Sequence, residues 1–96
     1  MNLIEILNNI NNLDDELVIY AVKNPNWEMS SPAIALPEPD INKLPSDLKE
    51  MSYFLEVDIV KEVLEVWSQW RNGQKPSNNE KFEAVVYYAE NDAYIE

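Results

Sequence analysis

The chain has 96 residues, with 18 Asp and Glu against seven Lys and Arg, a net charge of −11, and neither cysteine nor histidine. That length predicts one domain, residues 1–96, able to bury roughly 60–65% of its unfolded surface. Disulfides, thiolate metal sites and imidazole chemistry are excluded by composition.

From the N-terminus, Leu3, Ile6, Leu7, Ile10 and Leu13 recur at helical spacing. They predict a helix over residues 2–13 with Asn2 as its cap and Asp14-Asp15 at its end. The unbroken apolar run Leu17–Val22, rich in β-branched residues, predicts a central strand buried on both faces. Pro25 ends that strand within Asn24-Pro25-Asn26-Trp27, and Ile34–Leu36 form a second strand, opened by Pro32 as an edge position permits. Glu16–Pro37 therefore reads as a buried antiparallel hairpin around which the other segments pack. Pro37, Pro39 and Pro45 mark a loop, with a helical turn expected around Ile41–Leu44. Met51–Val57 suits a third strand.

Asp58 is placed to cap a helix closed by Gly73, with Ile59, Val63, Val66, Trp67 and Trp70 expected on its buried face. Ser77 and Glu80 form a capping-box pattern for a last helix, whose inward face is expected to carry Phe82, Val85, Val86 and Ala89, with Ala93 a further candidate. Asn91–Glu96 either frays or adds a short strand. The order α-β-β-β-α-α does not alternate as a parallel sheet requires. The expected fold class is α+β: a small antiparallel sheet of about three strands, with an N-terminal helix and two C-terminal helices packed against it.

Catalysis finds little support in these residues. A single glycine, Gly73, rules out a phosphate-cradling loop or dinucleotide fingerprint. Asp14-Asp15-Glu16 and the Glu38/Asp40 pair are candidates by residue type alone. Neither has calcium-loop spacing, and a glycosidase pair needs a larger cleft than this chain lines. No enzymatic role, cofactor or metal is expected. No apolar run approaches the roughly 20 residues of a membrane span. The N-terminus lacks a signal peptide's basic region and cleavage site, so a cytoplasmic location is expected.

The acidity opposes binding to nucleic acid or an anionic membrane and suits a basic protein partner. On the last helix Glu80, Glu83, Tyr87 and Glu90 gather on one face, where tyrosine offers rigid amphipathic contact area. On the preceding helix Asp58, Glu62 and Glu65 share another stripe. The simpler reading of both is a solvated helix face whose charge keeps the chain soluble. Trp27 is either a lid on the core, the preferred reading, or an exposed anchor for a partner.

Val18-Ile19-Tyr20-Ala21-Val22-Lys23-Asn24-Pro25-Asn26-Trp27, followed by Ser31-Pro32-Ala33, resembles a family of small acidic bacterial proteins of uncharacterised function. The tail Val86-Tyr87-Tyr88-Ala89-Glu90-Asn91-Asp92-Ala93-Tyr94-Ile95 is similar to that family's closing helix and aromatic end. The resemblance brings no catalytic residues. In size, acidity and absent chemistry such proteins are similar to the immunity proteins that neutralise bacterial toxin domains. The expected function by that analogy is neutralisation of a cognate, basic, nuclease-type toxin. One alternative is an acidic nucleic-acid mimic, or phage-type inhibitor, of a DNA-binding protein, although Lys61 and Lys81 interrupt its rows of carboxylates. Another is a non-catalytic homo-oligomeric regulatory protein. The oligomeric state stays open.

Overall fold

A computed structural model describes residues 1–23, 25–37 and 51–95. The proline loop, with its expected helical turn and the Glu38/Asp40 pair, lies outside these residues. In chain order the elements are α1 (Leu3–Asn8), a 3-10 turn (Ile10–Asn12), β1 (Leu17–Val22), β2 (Ala33–Pro37), β3 (Met51–Glu56), α2 (Val57–Gln69) and α3 (Asn78–Asn91). The strands form one antiparallel sheet in the order β2-β1-β3. This is the expected α+β class, with the hairpin's first strand at the centre.

Helix α1 begins at a reciprocal capping box. The Glu5 amide donates to Asn2 Oδ1 at 3.0 Å, and the Asn2 amide donates to Glu5 Oε1 at 3.1 Å. Two further unpaired amides of the first turn reach the loop after β1: Leu3 N–H donates to Ser31 O at 2.9 Å and Ile4 N–H to Met29 O at 3.1 Å. The helix stops earlier than its apolar spacing suggests. Asn9 has left helical dihedrals, and its side-chain amide donates to Glu5 O at 2.8 Å, competing with the backbone ladder. A 3-10 turn carries the chain on, so Leu3, Ile6, Leu7 and Ile10 still share the buried face.

Opposed residues of an antiparallel pair point to the same side of the sheet. Ile19 opposes Ala35 and Ala21 opposes Ala33, and these face the helices. Tyr20 opposes Ile34 and Val18 opposes Leu36 on the other, outer face. Between β1 and β3 the register shifts, pairing Ile19 with Leu55 but Tyr20 with Tyr53 and leaving Phe54 as the extra residue of a bulge. Phe54 and Leu55 are consequently both buried, while Tyr53 stands on the outer face, 51% exposed.

The burial of β1 departs from expectation. Ile19 and Ala21 are buried in the core on the inner face and Val18 is buried on the outer face, whereas Tyr20 and Val22 are only half-buried. All three helices contribute to the core on the inner face, so the apolar run of β1 reflects its central position more than burial on both sides.

β3 passes into α2 without a turn. The cap residue is Glu56, with no side-chain capping bond, two positions before the expected Asp58. The buried face also differs from the expected one: Val57, Val60, Val63 and Trp67 are buried, Ile59 and Val66 only partly, and Trp70 is 54% exposed. Trp70 rests instead against Tyr94 at a centroid distance of 6.0 Å, and Tyr94 lies 5.3 Å from Tyr88. The tail therefore closes over the α2–α3 seam and forms no strand.

Asn72 and Gly73 both take left-handed dihedrals (φ 59° and 84°), and the Gly73 amide donates to Ser68 O at 2.8 Å. α3 then starts at the expected capping box, with the Ser77 amide donating to Glu80 Oε1 at 3.0 Å and the Glu80 amide to Ser77 Oγ at 3.3 Å. Its deepest residues are Ala84 and Val85, with Phe82, Val86 and Ala89 packed at the margin. Replacing Ser77 with alanine should cost about 1 kcal/mol of stability in thermal melts. The backbone and hydroxyl of Ser77 hold the Glu80 carboxyl below its ordinary 4.5. A depressed carboxyl contributes stability above its unfolded value and loses it as pH falls through the folded one. Alanine keeps the backbone bond to that carboxyl, so only the part of the Ser77→Ala penalty that comes from the hydroxyl acting on it should shrink in melts taken below about pH 4.

Candidate functional site

The acidic side chains singled out on the two helices do not converge. Glu62 meets the Tyr94 phenol, whose pKa is raised first by that hydrogen bond. Glu65 accepts from Gln69 Nε2 at 3.3 Å and lines a groove that also carries lysines. Glu80 and Glu83 flank Arg71, which stacks 4.2 Å from the Trp67 ring centroid. Tyr87 is 40% exposed, and Glu83 and Glu90 are exposed.

Trp27 is a core residue. It is 9% exposed, meets Phe54 edge-on at 4.8 Å and lies under the Lys23 ammonium at 4.3 Å. The lid reading holds, and the exposed anchor is corrected. The loop turns the indole inward because Glu28 and Ser31 close it with two hydrogen bonds and α1 grips Met29 and Ser31. What a partner can reach over Trp27 is the Lys23 ammonium.

Asp58 belongs to a different grouping. At the end of the sheet where β1 begins and β2 and β3 finish, a cleft of about 440 Å³ is lined by Asp15, Glu16, Val18, Pro37, Glu56 and Asp58. Each carboxylate arrives by a separate local cause. Asp14 Oδ1 accepts from the Glu16 amide at 3.1 Å, and this turn presents Asp15 and Glu16. Glu56 and Asp58 sit at the start of α2, where the helix dipole favours negative charge. Lys61 Nζ donates to Asp15 Oδ1 at 2.5 Å and to Leu13 O at 2.8 Å, tying the turn to α2.

Tyr53 stands beside this cleft on the outer sheet face. Burial is the largest cause of its raised phenol pKa, followed by the Glu56 carboxylate, with Asp58 adding to it. Two of the four carboxylates, Glu56 and Asp58, thus act on an exposed aromatic, and Val18 and Pro37 supply the apolar part of the cleft lining. Among the described residues no group of three or more acidic side chains is arranged to hold a metal ion. The arrangement is suited to receiving cationic side chains at the rim of an apolar surface.

By residue type alone the sequence offers Asp15 and Glu16 as possible catalytic acids or divalent-ion ligands, and it does not single out Glu56 or Tyr53. The available signal was carboxylates at both ends of the strands. The bulge that turns Tyr53 outward has no local signature.

Among the described residues no helix is long and apolar enough to cross a membrane. Neither a curated protein nor a solved structure matches the chain significantly. A family model described as a domain of unknown function (DUF7716) matches residues 1–96, and the chain belongs to that family.

Proposed function

We propose that this chain is a cytoplasmic, non-catalytic binding protein that neutralises a basic partner, acting as the immunity protein of a bacterial toxin domain. The observation that supports this reading most is the cleft of Asp15, Glu16, Glu56 and Asp58, compensated by Lys61 and bordered by exposed Tyr53. Arginine and lysine side chains of a nuclease groove would enter the cleft, with Tyr53 as the rigid anchor beside them. Binding would be stoichiometric: the field of a chain at −11 speeds encounter, and desolvated contacts at the rim slow release. The helix carboxylates Glu62, Glu65, Glu80, Glu83 and Glu90 contribute to that field.

The proposal requires a toxin reading frame directly upstream of the gene, and co-expression with that toxin domain tests it. Growth should be restored by the wild-type chain, and absence of protection would overturn the reading. With the purified pair, the association rate should fall at least about tenfold between 0.02 and 0.5 M salt, because exposed charges are screened over about 10 Å already at 0.1 M. A rate that ignores salt would remove electrostatic steering from the mechanism.

A further inference from the structure

A second concavity, of about 710 Å³, lies on another part of the molecule between α1, α2 and the start of α3. Its charge is opposite to that of the chain. Carboxylates outnumber cations 18 to seven in the sequence, yet this groove is lined by Lys61, Lys75 and Lys81 with Glu65 as the one carboxylate. Its accessible apolar wall is made by the half-buried Leu64 and Pro76, with Leu7 and Ile10 behind them. Leu7 and Ile10 are buried, so this wall is continuous with the core.

The three ammonium groups come from separate elements that the fold brings together. Lys61 is held on α2 by Leu13 O and Asp15, which leaves one of its three N–H donors. Lys81 donates to Asn8 Oδ1 at 3.1 Å across the groove. The left-handed turn at Asn72-Gly73 reverses the chain and carries Lys75 and Pro76 onto the groove wall. Lys75 is exposed and makes no hydrogen bond among the described residues.

We propose that this groove binds a small anionic amphiphile: an oxyanion head, such as a carboxylate, on an aliphatic or aromatic body. The head would pair with Lys75 and Lys81, and the body would lie against Leu64 and Pro76 over the buried Leu7 and Ile10. The volume falls within the roughly 300–1,000 Å³ typical of small-molecule sites. A nucleic acid is a poor occupant, since a net charge of −11 repels a polyanion beyond the reach of three lysines. This site is distinct from the acidic cleft, and the proposal does not depend on the toxin-neutralising role.

The test is a ¹H–¹⁵N NMR titration of the full chain with octanoate, with octanamide as its uncharged twin and acetate as the head without the body. Octanoate should bind saturably with a Kd of about 1 mM or tighter, as its ten heavy atoms allow. Its shifts should centre on Leu7, Ile10, Leu64, Lys75 and Lys81. Octanamide and acetate should each bind at least about tenfold more weakly, because each lacks one half of the recognition. Lys75→Glu with Lys81→Glu should weaken octanoate at least about tenfold while changing octanamide less than about twofold. Lys75→Gln with Lys81→Gln, a milder pair, serves if charge reversal unfolds the chain and should act in the same direction. Equal affinity for octanoate and octanamide, shifts centred elsewhere, or the absence of saturable binding would each overturn the proposal.

Discussion

Replacing Phe54 with alanine should destabilise the protein by about 3–5 kcal/mol, a large share of the about 5–15 kcal/mol expected of a marginally stable domain. Phe54 is the extra residue of the β3 bulge, 1% exposed, and it meets Trp27 edge-on at 4.8 Å. Its loss would leave a cavity beneath the loop over Trp27 while β3 keeps a register that accommodates an extra side chain. At about 4–8 °C per kcal/mol for a domain of this size, the melting temperature should fall by about 12–40 °C. A double-mutant cycle with Trp27→Leu and Phe54→Leu, which retain more volume, should show a coupling of about 1 kcal/mol in denaturant titrations. A fall under 5 °C for Phe54→Ala would mean that the bulge does not place this ring in the core.

Reversing Glu56 and Asp58 to lysine should weaken association with the toxin domain at least about 100-fold, since close interfacial charge pairs couple by about 1.5–7 kcal/mol. The two reversals change the net charge from −11 to −7. Glu83→Lys with Glu90→Lys on α3 makes the same global change away from the cleft, so the pairs separate a contact from a field. The α3 pair should slow association by no more than about tenfold and leave dissociation nearly unchanged. Equal losses of affinity from both pairs would remove the cleft from the interface. Both cleft residues are exposed, and lysines at the start of α2 should cost only about 0.3–1 kcal/mol each against the helix dipole. Loss of binding with a melting temperature lowered by only a few degrees would therefore report on the interface.

The placement of charge explains why function was less legible than fold. A helix face read by spacing predicts which carboxylates are exposed, and Asp58, Glu62, Glu65, Glu83 and Glu90 are exposed. It does not predict what arrives beside them from elsewhere in the chain. Tyr94 comes to Glu62, Arg71 to Glu80 and Glu83, and Lys75 and Lys81 to the groove of Glu65. Each of these meetings depends on how α2, α3 and the tail pack.

Local sequence by itself determined the elements and most of their ends. Apolar periodicity located the amphipathic helices, the β-branched run located β1, and Ser77 and Glu80 marked the start of α3, because these signals act over a few residues. The short, proline-bounded connection made the hairpin antiparallel. Tertiary structure decided the register and the phase. Val57 joined α2 instead of β3, and the core took the Val57, Val60, Val63 and Trp67 face of that helix, which left Trp70 exposed. The extra residue in β3 turned Phe54 inward and Tyr53 outward. Bulges and helix phase are chosen by which side chains fill the shared core, a condition set by all the elements together.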